Sequence, residues 1–311
     1  MRVLVTGANG FVGKHLVAEL KNSGHEPITS DLATADITPQ PDYLCNLSCP
    51  DAVSLMVKET TPDACIHLGG IAFVPVGWSN PQLMFNVNTI GTVNVLEAFR
   101  KFAVTARLLI ISSTEVYGPS FQEGTTNDES ALHPNNIYAV SKAAADLTGL
   151  LYHDKYSMHT MTARPSNHIG PGQNPDFVVP SFAAQLLKIK ASGLLTGKIE
   201  TGNLESERDF TDVRDIVKAY RLILEKGTPG QAYNIARGKL TKISFILSEL
   251  CDITGVSPEI IFDPAKYRPA VPQVCLDTTR LRKDTGWTPA LPMRQSLLDV
   301  VSDLRQKLYP K

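Results

Sequence analysis

The chain has 311 residues, of which 43% are hydrophobic and 20% charged, with a formal net charge of -1. These values are typical of a globular protein of one large or two closely joined domains, and they give no electrostatic reason to expect nucleic acid as a partner. No apolar run approaches the roughly 20 residues that cross a bilayer, so we expect no membrane partner and a cytoplasmic location. The five cysteines have no metal-ligand spacing, and we expect no bound metal.

The first half of the chain alternates apolar, strand-like runs with segments of helical spacing. The predicted strands are Arg2 to Thr6, Glu26 to Ser30, Ala64 to Leu68, Arg107 to Ser112 and His159 to Arg164. The predicted helices are Gly13 to Asn22, Pro81 to Phe102 and Tyr138 to Tyr156. Strict alternation of this kind predicts an α/β fold with a Rossmann-type, doubly wound parallel sheet.

After about residue 165 the pattern changes, and glycine and proline cluster in loops. A strand is predicted at Ala232 to Ile235, and helices at Lys242 to Gly255 and Met293 to Leu308. We therefore predict a cofactor-binding Rossmann domain over residues 1–165, rejoined by a strand near 231–236. Residues 166–311 are predicted to form a smaller, loop-rich substrate region.

A glycine-rich turn, TGANGFVG, follows the first strand and precedes a helix. Glycines here permit a tight turn and let backbone N–H groups approach a pyrophosphate at the positive end of the helix. The candidate cofactor contacts in this turn are Gly7, Asn9, Gly10, Phe11, Val12 and Gly13. Asp31, 18 residues after Gly13, is placed to bind the adenine ribose hydroxyls. Its carboxylate favours NAD(H), with NADP(H) also possible, because it repels a 2′-phosphate.

Tyr138 and Lys142 are four residues apart at the start of a predicted helix, so their side chains share one face. A lysine ammonium near a phenol lowers the pKa of the phenol, which suits a proton-transfer catalyst. Ser113 follows the predicted strand Arg107 to Ser112, at the edge of the sheet where such folds keep their chemistry. The three residues form a candidate catalytic group.

These features resemble the extended short-chain dehydrogenase/reductase family, and within it the enzymes that act on nucleotide sugars. The likeness extends over nearly the whole chain. Its motifs are TGANGFVG, HLGG, NTIGTVNVL, SSTEVYG, YAVSK, SNHIGPGQ, RDFTDVRDIVKAY and TGWTP. Within the family, the segments ARPSNHIGPGQ and GNLESERDFTDVRDIVKAY look most like the reductases of GDP-4-keto-6-deoxymannose.

The resemblance implies that Tyr138 is the acid/base at the sugar C4 oxygen, that Lys142 tunes it and binds the nicotinamide ribose, and that Ser113 gives a second hydrogen bond. Further candidate cofactor contacts are Leu68 and Gly69. Asn88 is expected to have a structural role near Tyr138, with a cofactor contact as the alternative. The candidate substrate contacts are Phe73, Ser113, Thr114, Asn167, Arg208 and Arg268. Core packing is the alternative for Phe73, and an ion pair with Asp209 or Asp212 is the alternative for Arg208. A homodimer formed through the helices that begin near Pro81 and Tyr138 is also implied.

Glu115 does not decide whether the protein catalyses reduction or dehydration of its sugar. It matches the position where nucleotide-sugar 4,6-dehydratases carry the base for C5, but it could equally hold the turn or contact a sugar hydroxyl. We expect a 4-ketoreductase acting on a GDP-4-keto-6-deoxyhexose. The alternatives are an NAD-dependent 4-epimerase or 4,6-dehydratase on the same residues, and a non-catalytic NAD(H)-binding regulator. His67 is expected to be a packed, hydrogen-bonded histidine without a catalytic role.

Overall fold

The computed structural model describes residues 1–32, 40–122, 126–267 and 275–309, without the side chains of 119–122. The strands are β1 Arg2–Thr6, β2 Glu26–Asp31, β3 Tyr43–Leu44, β4 Ala64–His67, β5 Arg107–Ile111, β6 His159–Pro165, β7 Asn167–Ile169, β8 Lys198–Thr201, β9 Glu207–Asp212, β10 Ala232–Ile235, β11 Leu240–Lys242 and β12 Glu259–Phe262. The helices are α1 Phe11–Asn22, α2 Pro50–Thr60, α3 Val74–Ser79, α4 Pro81–Phe85, α5 Gly91–Phe102, α6 Ile137–Tyr156, α7 Val178–Ala191, α8 Val213–Lys226, α9 Ile243–Thr254, α10 Thr279–Thr285 and α11 Met293–Leu308.

Seven parallel strands form the main sheet, in the order β3-β2-β1-β4-β5-β6-β10. The strand order reverses beside β1, so the carboxyl ends of β1 and β4 border the crevice in which such folds bind ligands. The central strands β1, β4 and β5 are buried almost throughout, which explains their continuous apolar sequences. The predicted doubly wound α/β fold is confirmed.

The segment predicted as one helix from Pro81 to Phe102 contains a local change of winding. A π-helical turn, Asn86–Ile90, separates α4 from α5, and the Gly91 N–H donates to the Asn86 carbonyl. Such single turns are rare and often occur at functional sites. The side chain of Asn88 lies in this turn and binds the chain after β4, as described below.

The chain divides into two compact units. The first contains Met1–Ser166, Ile216–Ile235 and Leu276–Thr288, and the second contains Asn167–Asp215, Ala236–Cys275 and Pro289–Lys311. A division at residue 165 with one returning strand describes the first unit incompletely. Because β10 pairs in parallel with β6, most of helix α8 must also return to the first unit as its crossover connection.

The second unit has its own core, in which residues of α7, α9 and α11 form one buried apolar cluster. Strand β9 pairs with β7 in parallel and with β11 in antiparallel orientation, while β8 and β12 form a separate parallel pair. This unit therefore holds β9, which carries Arg208, in a small mixed sheet. In the described parts of the chain, no helix combines the length and apolar character needed to span a bilayer.

Candidate active site

The glycine-rich turn connects β1 to α1 with almost no free space. Gly7 has a φ of 71°, in the left-handed region that favours glycine, and its carbonyl accepts the Gly10 N–H at 3.1 Å. A β-carbon at Gly13 would lie only 2.3 Å from the Gly7 carbonyl oxygen and 2.5 Å from that of Ala8. Side chains at these positions would therefore force the turn open.

The N-terminus of α1 has no side-chain cap. Gly10 caps the helix without a side-chain hydrogen bond, and the first helical turn contains no acidic residue. The amide nitrogen of the Asn9 side chain is buried and has no hydrogen-bond partner among the described residues. An uncapped helix N-terminus with a buried orphan donor fits the pyrophosphate of a dinucleotide.

Asp31 ends β2 beside this turn. One carboxylate oxygen accepts the Asn9 N–H at 2.8 Å, and the other accepts the Leu32 N–H at 2.8 Å. These bonds fix the orientation of the carboxylate next to the place expected for the adenine ribose. The structure thus brings Asp31 together with the glycine-rich turn.

A chain of hydrogen bonds passes through His67 at the end of β4. The Gly69 N–H donates to Thr6 Oγ1 at 3.1 Å, Thr6 Oγ1 lies 2.7 Å from His67 Nδ1, and His67 Nε2 lies 3.1 Å from Thr92 Oγ1. Burial lowers the pKa of His67 to about 3, with a smaller contribution from Lys142. The imidazole ring is neutral and has a hydrogen-bond partner at each of its two nitrogens, which confirms the prediction of a packed histidine. Leu68 and Gly69 follow it at the mouth of the crevice.

Asn88 uses its side chain to bind other parts of the protein. Its Oδ1 accepts the Ile71 N–H at 2.7 Å, and its Nδ2 donates to the Ile71 carbonyl at 3.1 Å and to Ser141 Oγ at 3.0 Å. Ser141 Oγ in turn donates to the Tyr138 carbonyl at 2.7 Å. Asn88 therefore joins the chain after β4 to the helix that carries Tyr138 and Lys142.

Tyr138 and Ser113 meet at the carboxyl edge of the sheet. Both side chains are buried, and the Ser113 hydroxyl is close enough to the phenol to affect its pKa. Burial raises the pKa of Tyr138 to about 12, with the nearby Ser113 hydroxyl acting in the opposite direction and the nearby Glu115 adding to the increase. At neutral pH the phenol therefore holds its proton, ready to give it to an oxygen that gains negative charge.

Lys142 does not lower the pKa of Tyr138 as the sequence predicted. Its ammonium donates to the Ile111 carbonyl at 2.7 Å, and burial lowers its own pKa to about 8, against the opposing effect of Asp146. The burial of Tyr138 dominates, so the pKa of the phenol moves upward. The prediction of a lowered phenol pKa was wrong in direction.

Glu115 lies in the 3-10 helical turn that begins at Thr114, directly after Ser113. One of its carboxylate oxygens accepts a hydrogen bond from Asn136 Nδ2 at 3.3 Å, and Ser113 Oγ accepts the Glu115 N–H at 3.2 Å. Asn136 also caps helix α6, because its Oδ1 accepts the Ala139 N–H at 2.9 Å. One residue thus caps the helix of Tyr138 and holds the carboxylate of Glu115 close to the phenol.

Phe73 precedes the short helix α3 and is partly exposed. Within α3, a β-carbon at Gly77 would lie 3.3 Å from the Tyr138 backbone nitrogen, so α3 packs directly against the start of α6. This packing places the segment that begins at Phe73 on the Tyr138 side of the first unit.

Asn167 and Arg208 belong to the second unit. Asn167 opens β7 and is opposite Phe210 of β9, the strand that carries Arg208. The Arg208 guanidinium donates to the Glu207 carbonyl at 2.7 Å. Arg268 lies outside the described residues. Among the described residues, no group of three or more His, Cys, Asp or Glu side chains is arranged to hold a metal ion.

Sequence reasoning missed Asn136, Ser141 and a buried set of residues behind the site, Tyr117, Asp146 and Arg164. An asparagine directly before a helical pattern is a helix-cap signal and could have identified Asn136. Asp146 lies four residues after Lys142 and could have been placed on the same helix face. No local pattern connects Arg164 to either.

The sequence profile of the GDP-mannose 4,6 dehydratase family matches residues 4–299. GDP-6-deoxy-D-mannose reductase of Pseudomonas aeruginosa is 37% identical over 309 residues, which are 99% of this chain and 98% of that protein. The solved structure of RMD from Pseudomonas aeruginosa complexed with NADPH has 36% identity and a TM-score of 0.86, covering 98% of this chain and 99% of that one. UDP-glucose 4-epimerase of Thermus thermophilus complexed with NAD has 29% identity and a TM-score of 0.85, with 98% and 99% covered. The chain belongs to the GDP-mannose 4,6 dehydratase family, within the nucleotide-sugar branch of the short-chain dehydrogenases/reductases.

Proposed function

We propose that the protein is a nucleotide-sugar 4-ketoreductase that reduces the C4 carbonyl of a GDP-linked 4-keto-6-deoxyhexose. The single observation that carries the chemistry is the buried, protonated phenol of Tyr138, which lies close to the Ser113 hydroxyl at the carboxyl edge of the sheet. The choice of substrate is supported by the identity with GDP-6-deoxy-D-mannose reductase, which covers 99% of the chain.

The cofactor held by the first unit is a nicotinamide dinucleotide. The uncapped start of α1 and the orphan amide of Asn9 fit its pyrophosphate, and Asp31 fits the adenine ribose. We expect NAD(H) to be preferred because of Asp31, and NADP(H) to be accepted as well, since a similar solved structure is complexed with NADPH. When bound in reduced form, this cofactor supplies the hydride for C4.

The residues of the chain supply the proton and orient the carbonyl. Ser113 donates a hydrogen bond to the C4 oxygen, and Tyr138 transfers its proton to that oxygen as negative charge develops there. Lys142, whose pKa of about 8 keeps most of it charged at neutral pH, places a cation behind the phenol and binds the nicotinamide ribose. Ser113 and Tyr138 together determine which oxygen of the sugar is protonated.

The substrate contacts proposed are Asn167 and Arg208 of the second unit, together with Phe73, Thr114 and Arg268. Arg208 is suited to the diphosphate because a guanidinium binds two oxygens at once. Phe73 offers an apolar surface to the hexose. Thr114, next to Ser113 in the same turn, offers a hydroxyl group to the sugar.

One observation supports a second candidate function, a 4,6-dehydratase or 4-epimerase. The carboxylate of Glu115 is held by Asn136 close enough to Tyr138 to raise the pKa of the phenol. A carboxylate at this place could remove a proton from C5 after oxidation at C4. For the ketoreductase, Glu115 is a residue that holds the turn and contacts a sugar hydroxyl.

The decisive experiment incubates the purified protein with GDP-4-keto-6-deoxymannose and NADH or NADPH, and separately with GDP-mannose and UDP-glucose without added cofactor. The ketoreductase consumes external reduced cofactor and converts only the keto sugar. Conversion of an ordinary sugar nucleotide with no added cofactor would instead establish the dehydratase or epimerase, and a Glu115→Gln variant would then lose dehydration. Cofactor binding without turnover of any of these sugars would indicate a regulator.

A homodimer is a further part of the proposal. Helix α6 exposes Val140, Leu147 and Leu151, at 36%, 54% and 60% of their surface, in a row that the helix repeat places along one face. An apolar stripe of this kind is typical of a symmetric helix-to-helix contact.

All five cysteines are free thiols, which supports the expected cytoplasmic location.

A further inference from the structure

We propose that Asp146, Arg164 and Tyr117 are positioning residues, a buried chain that fixes the turn of Ser113 to the helix of Tyr138 and Lys142. The inference rests on the proposed function only in its assay, because C4 oxidation and C4 reduction both use the Ser113 and Tyr138 pair. We call these three residues the buried clamp.

The buried clamp is a continuous set of short hydrogen bonds. Arg164 Nε donates to one carboxylate oxygen of Asp146 at 2.8 Å, and Arg164 Nη2 donates to the other at 3.0 Å. Arg164 Nη1 donates to the Tyr117 hydroxyl at 2.9 Å, and that hydroxyl donates to Asn234 Oδ1 at 2.7 Å. The three side chains are 0–4% exposed, so water does not compete for any of these bonds.

The two ends of the buried clamp lie on the two elements that carry the catalytic groups. Tyr117 is in the same 3-10 turn as Glu115 and follows Ser113 by four residues. Asp146 is on α6, where it continues the four-residue spacing of Tyr138 and Lys142 and so shares their face. Arg164 lies on β6 between these elements and joins them. The clamp therefore fixes the turn that carries Ser113 relative to the helix that carries Tyr138 and Lys142.

Stability alone does not explain such an arrangement. The desolvation of a buried ion pair offsets much of its attraction, and apolar residues of similar volume serve a core as well or better. A planar guanidinium bound at both ends defines angles as well as distances, which an apolar contact does not. The attraction of Asp146 for Lys142 one helical turn away also favours the charged lysine.

The test compares Tyr117→Phe with Tyr233→Phe. Tyr233 is equally buried, and its hydroxyl donates to Asp284 Oδ2 at 2.7 Å and accepts the Thr228 N–H at 2.7 Å, outside the clamp. Both variants lose one buried hydroxyl and keep the ring. We expect Tyr117→Phe to lower kcat by roughly 10-fold or more, with KM for the sugar nucleotide and for the cofactor changed less than about threefold. Tyr233→Phe should keep kcat within about twofold.

A kcat for Tyr117→Phe equal to that of the Tyr233→Phe control refutes the inference, as does an equal increase in KM with kcat unchanged. Asp146→Asn changes the opposite end of the clamp, and its kcat and KM are compared with those of the same control. One of the two variants is therefore enough for the test if the other does not fold. Each comparison uses the reaction that the wild-type protein catalyses. A wild-type protein that does not reduce the keto sugar refutes the proposed function, and the clamp is then tested on its C4-oxidising reaction.

Discussion

Replacing Tyr138 by phenylalanine removes the proton donor and preserves the ring. The phenol has a pKa of about 12, so at pH 7 to 8 almost every molecule carries the proton that the reaction uses. The loss should therefore be that of general acid catalysis, about 10²–10⁴-fold in kcat, or ~3–5 kcal/mol of transition-state stabilisation. Ser113 still donates to the C4 oxygen, so activity should fall to this residual level and not to zero.

The assay follows the disappearance of reduced-nicotinamide absorbance with the GDP-linked keto sugar. Tyr152→Phe is a matched control, because Tyr152 is on the same helix and its hydroxyl donates to Glu97 Oε1 at 2.6 Å, away from the catalytic pair. We expect the control to retain at least half of wild-type turnover. A Tyr138→Phe enzyme with more than about a tenth of wild-type kcat would show that another group protonates the oxygen.

Four further outcomes are expected. Asp31→Asn should raise kcat/KM with NADPH relative to NADH by roughly tenfold, because the charge that repels a 2′-phosphate is gone; an unchanged ratio would remove Asp31 from cofactor selection. The pH profile of kcat/KM should be level below about pH 7 and fall as pH rises through about 8, where Lys142, close to Asp146 and the neutral His67, loses its charge. The pKa of His67 is about 3 in the folded protein and near 6.5 in the unfolded chain, so the unfolded chain binds the proton more tightly. The free energy of unfolding should therefore fall by up to ~1.4 kcal/mol for each pH unit below about 6.5. Denaturant unfolding of His67→Gln should lack this contribution. Arg208→Ala should raise KM for the sugar nucleotide roughly 10- to 100-fold with a small change in kcat; an equal loss in kcat alone would contradict a binding role.

The centre of the sheet could be predicted from the sequence because strands β1, β4 and β5 are buried almost throughout and read as apolar runs between helical patterns. Strand β3 could not, because a strand of two residues has no periodicity. Strand β9 has the sequence ERDFTD and no alternating pattern, and it is stabilised by pairing with β7 and β11. The π-helical turn contains Asn88, whose hydrogen-bond partner Ile71 lies 17 residues earlier in the chain, and no local pattern indicates this contact.

The positions of site residues could be predicted from the sequence where a motif places them on one element, as for the glycine-rich turn and the spacing of Tyr138 and Lys142. The direction of the pKa shift of Tyr138 could not be predicted from the sequence, because the shift depends mainly on how deeply the phenol is buried. The same limit applies to the buried clamp, in which Asp146 and Arg164 come from different elements of the chain.

The position of β10 in the sheet has a consequence for the order in which the protein forms during synthesis. Strand β6, at residues 159–165, leaves the ribosome well before its neighbour β10, at residues 232–235, and the residues between them include the whole first segment of the second unit, Asn167–Asp215. Until β10 arrives, β6 is an open strand edge, and the Tyr117 hydroxyl has no Asn234 to receive its hydrogen bond. A nascent chain that ends before residue 232 therefore exposes the edge of β6, on which strands of other molecules can pair. The first unit is complete only after most of the second half of the chain has been made.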